Sequence, residues 1–170
     1  MTMHQSPLSD ALLKAAMAER EGHSFYMMAA NTTQDPKGKQ VFEQLAREEL
    51  EHLSFLKTHY DSLLQTGRLD VNARLGHGSD LAGSFPIFTA AIKSRVKDAH
   101  FEMSALAIGI QLERDAIKFY QEQAQSSLDP EARRFFGELA TWEAGHYNAL
   151  LRQQEELKGD YWSGAGFSPF

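Results

Sequence analysis

Apolar side chains recur every three or four residues in four stretches of this chain, a period that predicts four long helices. The first covers about Leu8 to Asn31, behind a Ser6-Pro7 start signal. The second covers about Lys37 to Gln65 and stops near Gly67. The third covers roughly Ala99 to Ser126 and the fourth Glu131 to Lys158. Asp35-Pro36 and Asp129-Pro130 each supply a cap followed by a first-turn proline. Short turns join helices one to two and three to four, so each pair is an antiparallel hairpin. A crossover of about 66–98 separates the hairpins, punctuated by Gly67, Gly76, Gly78, Gly83 and Pro86. Within it, Phe85 to Phe88 reads as a short extended piece and Thr89 to Val96 as a short helix.

Two hairpins joined by one long crossover make an all-α four-helix bundle of ferritin-like topology, expected over residues 1–158. Residues 159–170 are Gly/Ser-rich and read as a non-helical tail, with Tyr161, Trp162, Phe167 and Phe170 to dock it on a surface. The two hairpins are also copies of each other. Residues 11–56 and 105–150 align without a gap at an offset of 94, with 15 of 46 positions identical. The identities reach beyond helix formers. They include Glu19/Glu113, Phe25/Phe119, Tyr26/Tyr120, Phe42/Phe136, Glu49/Glu143 and His52/His146. Each copy therefore carries one Glu and then a Glu-x-x-His.

Hairpin geometry brings these residues to one level. Glu19 and Glu49 are equally far from their turn, as are Glu113 and Glu143 from theirs, about 15 residues or ~20 Å along the bundle. An i, i+3 spacing puts each Glu and its His on one helix face. That face is the apolar one: Leu12, Ala15, Glu19 and Tyr26 share a stripe, as do Phe42, Leu45, Glu49, His52 and Leu56. The second copy repeats this with Leu106, Ile110, Glu113 and Tyr120, then Phe136, Leu139, Glu143, His146 and Leu150. Arg20 and Arg114 follow the Glu residues but point elsewhere, so no cation shares the stripes. Four buried carboxylates repel and each costs several kcal/mol if uncompensated. Two divalent cations would cancel the charge and two neutral imidazoles would complete their shells. A single Glu-x-x-His is commonly surface decoration; two copies on apolar faces, each at the same distance from a matching Glu, are not. Tyr26 and Tyr120 either hydrogen-bond the carboxylates or pack as core aromatics. His23 lies near the face as a marginal candidate, and Trp142 reads as packing.

Composition narrows the possibilities further. A formal charge of −6 with scattered Lys and Arg argues against nucleic acid or an anionic membrane as partner. No apolar run is long enough to cross a bilayer, and the polar start carries no secretory core, so a cytoplasmic location is expected. The absence of cysteine excludes thiolate catalysis and Cys-ligated metal within this sequence.

The doubled Glu…Glu-x-x-His pattern and the Glu…Phe-Tyr segments at 19–26 and 113–120 resemble the di-iron carboxylate domain of the rubrerythrin family, over about residues 8–158. The resemblance implies metal ligation by Glu19, Glu49, His52, Glu113, Glu143 and His146, with Glu49 and Glu143 bridging two ions. It implies a non-haem di-iron oxidoreductase that reduces H₂O₂ or O₂, with Mn or Zn as other possible occupants. Rubrerythrins proper also carry a four-Cys rubredoxin-like domain; none is in this sequence, so a separate electron-donor protein is expected. They carry a further Glu three residues after the third-helix ligand, where this chain has Ala116 (Gly22 in the first copy). An iron-handling ferroxidase and a redox-silent, metal-stabilised structural protein are the alternative readings. The evenly weighted repeats favour a homodimer.

Overall fold

The computed structural model describes residues 6–76, 81 and 85–164. Helix α1 is Pro7–Thr32, α2 Pro36–Thr66, α3 Ala91–Ser94, α4 His100–Ser126 and α5 Pro130–Gly164, with a 3₁₀ turn at Val96–Asp98. The described residues contain no strand, and the bundle is all-α and ferritin-like, as the periodicity predicts. The caps fall where the sequence puts them. Ser6 Oγ accepts from Ser9 N at 3.1 Å, and Asp35 Oδ1 accepts from Gly38 N at 2.8 Å. Gly67 ends α2 in the left-handed region at φ 72°, a conformation that costs glycine nothing.

The core forms two apolar clusters. One gathers Tyr26, Phe42, Phe88, Leu106 and Leu150 around the turn between α1 and α2. The other gathers Leu12, Phe55, Tyr120, Phe135 and Phe136 around the turn between α4 and α5. The two turns therefore lie at opposite ends of the bundle, and the mid-helix Glu and His residues fall between the clusters.

The crossover runs from one end to the other, because Leu69 packs in the second cluster and Phe88 in the first. Buried polar side chains hold its far end. Gln153 Oε1 accepts from Ile87 N at 2.7 Å, and Asp35 accepts from Thr89 N at 3.1 Å. Phe88 lies so close to the first turn of α2 that a Cβ on Gly38 would meet its ring at 2.5 Å. The extended piece expected at 85–88 is a bend containing a cis Phe85–Pro86 bond, and the short helix expected at 89–96 contracts to α3 plus the 3₁₀ turn.

The expected non-helical tail is corrected in its first half, since α5 continues through Gly164. A single Gly159 costs about 1 kcal/mol of helix propensity, too little to stop a helix whose following residues keep their N–H groups. Asp160 also pairs with Lys93 Nζ at 3.7 Å, tying the last turns of α5 to the crossover. Tyr161 and Trp162 stand edge to face at 5.3 Å, and each is a little under half-exposed. Phe167 and Phe170 lie outside the described residues.

Candidate metal centre

The structure brings all six sequence-derived residues together: Glu19 from α1, Glu49 and His52 from α2, Glu113 from α4, Glu143 and His146 from α5. None is more than 4 % exposed. They form two overlapping sets, Glu19–Glu49–His52–Glu143 and Glu49–Glu113–Glu143–His146, and within each set one donor atom per residue lies within 4.8 Å of the others. Glu49 and Glu143 belong to both. His52 Nδ1 faces Glu19 Oε2 at 3.2 Å and Glu143 Oε1 at 2.9 Å. His146 Nδ1 faces Glu143 Oε2 at 3.1 Å, Glu49 Oε1 at 3.4 Å and Glu113 Oε1 at 3.6 Å. The two imidazoles are near-parallel, 17° apart with centroids at 5.8 Å.

Without a cation, this cluster shares protons among acids that repel. Burial, then the charge of Glu143, pushes the Glu49 carboxyl well above its ordinary value. The same two causes raise Glu113 to about 7. Burial also works upward on Glu143, but His52 and His146 outweigh it and hold this carboxyl well below the usual range. Burial would depress both imidazoles; the surrounding carboxylates, Glu143 foremost at His52 and Glu113 at His146, instead raise them well above 6.5. Several inward atoms still lack a hydrogen-bond partner: Glu49 Oε1, both oxygens of Glu143, and His146 Nδ1. Such orphaned buried acceptors are costly unless something binds them. Mixed carboxylate and imidazole donors suit divalent iron, manganese or zinc. The residues fit two divalent metals.

An outer layer holds this cluster, and it crosses between hairpins. The Tyr26 hydroxyl donates to Glu113 Oε1, and the Tyr120 hydroxyl donates to Glu19 Oε1. Both tyrosines are fully buried aromatics and also hold carboxylates, so the two sequence readings of them coexist. His23 is not part of the cluster. It lies one position off the stripe, and its Nδ1–H donates to the Ala46 carbonyl at 2.8 Å. Sequence reasoning missed Glu48, whose Oε2 lies 2.6 Å from His146 Nε2. Its partner is 98 residues away on another helix, so no periodicity within α2 could reveal the contact. Trp142, a packing residue by sequence, packs on the centre itself: its ring stands perpendicular to His52 with centroids 5.2 Å apart.

A cavity of about 400 Å³ between α1 and α4 reaches the carboxylates. Ala18, Gly22, Leu112, Ala116 and Phe119 line it, with Lys14 and Lys118 also on its walls. Gly22 and Ala116 are the repeat-related positions next to Glu19 and Glu113, and their small side chains keep this face open. At Gly22 a Cβ would meet Glu49 Oε2 at 2.7 Å.

The rubrerythrin family model matches residues 10–153, most of the chain and all six clustered residues. The chain belongs to the rubrerythrin family. No curated protein and no solved structure matches it significantly. In a rubrerythrin-family chain, a buried group of four carboxylates and two imidazoles is the expected place for divalent metal. Among the described residues of this rubrerythrin relative, no helix is long and apolar enough to cross a membrane.

Proposed function

We propose that this chain is a non-haem dinuclear-metal oxidoreductase, iron being its principal metal, that reduces H₂O₂ or O₂ with electrons from a separate donor. One observation carries the reading. Six buried residues converge with no Lys or Arg among them, and several of their inward atoms, both oxygens of Glu143 included, are left without hydrogen-bond partners. The 400 Å³ cavity at Gly22 and Ala116 supports redox chemistry over a closed structural site, because it lets a small oxidant approach from the α1–α4 side.

Two one-electron metal ions side by side supply the electron pair that cleaving an O–O bond requires. The protein's residues set the conditions. Glu49 and Glu143, common to both sets, hold the two positions together, while Glu19 with His52 and Glu113 with His146 complete one each. Tyr26 and Tyr120 fix the outer carboxylates from the opposite hairpin and keep their second oxygens from rotating. The apolar clusters above and below exclude bulk water from both ends of the site, and the cavity reaches it from the α1–α4 side. Reduction of peroxide takes up two electrons and two protons and releases two waters.

Loading the protein anaerobically with Fe(II) and mixing with H₂O₂ tests this. Stopped-flow absorbance should show ferrous oxidation faster than for free Fe(II), and the Glu143→Ala variant should lose the acceleration. Oxidation no faster than in buffer would reject the enzymatic reading. Rapid oxidation by O₂ with retained ferric iron and no turnover under a reductant would favour iron handling instead.

A further inference from the structure

The pseudo-symmetry of the cluster breaks at one pair of positions. Residues 48 and 142 are equivalent in the repeat, yet one is Glu and the other Trp. Each precedes a carboxylate common to both sets, and each reaches across to the imidazole of the other hairpin: Glu48 to His146, Trp142 to His52. The chemistry delivered is different. A carboxylate oxygen 2.6 Å from Nε2 requires that nitrogen to carry the proton, which leaves the His146 Nδ1 lone pair free to point inward. Gln44 Nε2 donates to the other Glu48 oxygen at 3.3 Å and helps hold it in place. On the other side, His52 Nε2 is buried without a hydrogen-bond partner. An indole offers a ring face and one N–H but no in-plane acceptor, so Trp142 gives His52 neither a charge nor a fixed tautomer.

We infer that the two metal positions are unequal by construction: the Glu49–Glu113–Glu143–His146 position is the tight one and the Glu19–Glu49–His52–Glu143 position the weak, exchangeable one, with Glu48 against Trp142 setting the difference. The inference rests on the cluster being a dinuclear centre. A carboxylate behind a ligating imidazole makes it a stronger donor and holds its ring, and loss of such support costs roughly 10- to 100-fold in metal affinity. Filling is then sequential, and two different divalent ions added in order can occupy distinct positions. Glu48 is a positioning residue here, acting on the metal through His146.

Titration of the metal-free full chain with Co(II), followed by its visible absorption and by calorimetry, reads the difference directly. The wild-type chain should bind two ions in steps separated by roughly 10- to 100-fold. Glu48→Leu should weaken the first step by that factor and leave the second unchanged, whereas general structural damage would weaken both. Glu48→Gln, which keeps an acceptor without the charge, should recover part of the loss. Trp142→Glu should strengthen the second step and bring the two together; this gain stands even if Glu48→Leu fails to fold. Two ions bound with equal affinity, or steps that none of these variants changes, overturn the inference while leaving the dinuclear reading intact. A chain that binds no Co(II) defeats that reading and the inference with it.

Discussion

Gly22 shows how closely a single residue can be held to the centre. Replacing an exposed helical glycine with alanine ordinarily stabilises a helix by about 0.5–1 kcal/mol, because alanine loses less backbone entropy. Gly145 on α5 has open space where its Cβ would go and should show that gain. At Gly22 the new methyl would meet Glu49 Oε2 at 2.7 Å, so the carboxylate must shift. Glu49 belongs to both donor sets, so the shift disturbs both positions. Gly22→Ala should therefore weaken metal binding by roughly 10- to 100-fold, the size of effect seen when a ligand loses its support, while Gly145→Ala leaves binding unchanged. Calorimetric titration of the two variants side by side checks this. Equal binding by both would mean that Glu49 is free to move. The crossed Tyr26–Glu113 and Tyr120–Glu19 bonds belong to this scale too, as each holds one carboxylate from the opposite hairpin.

The helix starts show how one motif takes on different weight in two copies. Asp129 caps α5 at the surface, accepting from Glu131 N at 2.8 Å and Ala132 N at 3.2 Å. Asp35 occupies the equivalent place before α2 but is buried, because the crossover folds over it and Thr89 donates to it through both N–H and hydroxyl. Burial pushes the Asp35 carboxyl upward, but hydrogen bonds from the Thr89 hydroxyl and the Gly38 and Thr89 amides outweigh it and leave the group below its ordinary value. Its contribution is thus fully present above the unfolded carboxyl pKa of ~3.9 and is lost as pH falls through the lower folded value. Asp35→Ala should cost about 2–3 kcal/mol at neutral pH, a cap plus bonds to a charged acceptor, against about 1 kcal/mol for Asp129→Ala. Chemical denaturation at pH 7 and again near pH 3 measures both. The gap between the wild-type chain and Asp35→Ala should narrow at the lower pH. A gap of the same size at both would show that the ionised carboxylate is not what anchors the crossover.

Across the whole molecule, a charged layer separates two apolar clusters, so metal binding and folding are coupled. In the metal-free protein, Glu49 and Glu113 have raised carboxyl pKa values and His52 and His146 raised imidazole values. For the carboxyls, the folded state holds protons that the unfolded state has already released, so stability falls as pH rises from the unfolded value toward about 7 at Glu113. For the imidazoles, the protonated form adds stability below ~6.5, and this is lost as pH rises through the higher folded values. Both act in one direction. The metal-free chain should unfold at a lower temperature at pH 8 than at pH 6. Divalent ions need these groups deprotonated, so their stabilising effect should grow over the same interval. Mn(II), which is stable in air, should add about 2.7 kcal/mol at a hundred times its dissociation constant. Thermal scans with and without Mn(II) at both pH values test the sign. Greater metal-free stability at pH 8 would contradict this proton sharing.

Periodicity, caps and the internal repeat were enough to specify the helices, the hairpins and the six converging donors. These features are local, or follow from the arithmetic of reversing a rod at its midpoint: a Glu and a Glu-x-x-His equidistant from one turn meet wherever the hairpin packs. The folding of the crossover over Asp35 depended on tertiary contacts that no helix period encodes. The same holds for the outer layer. Tyr26, Tyr120, Glu48 and Trp142 each act on a residue of the other hairpin, and which side chains face each other there is decided only when the two hairpins dock. The repeat made the halves look alike, and packing revealed that Glu48 and Trp142 make them different.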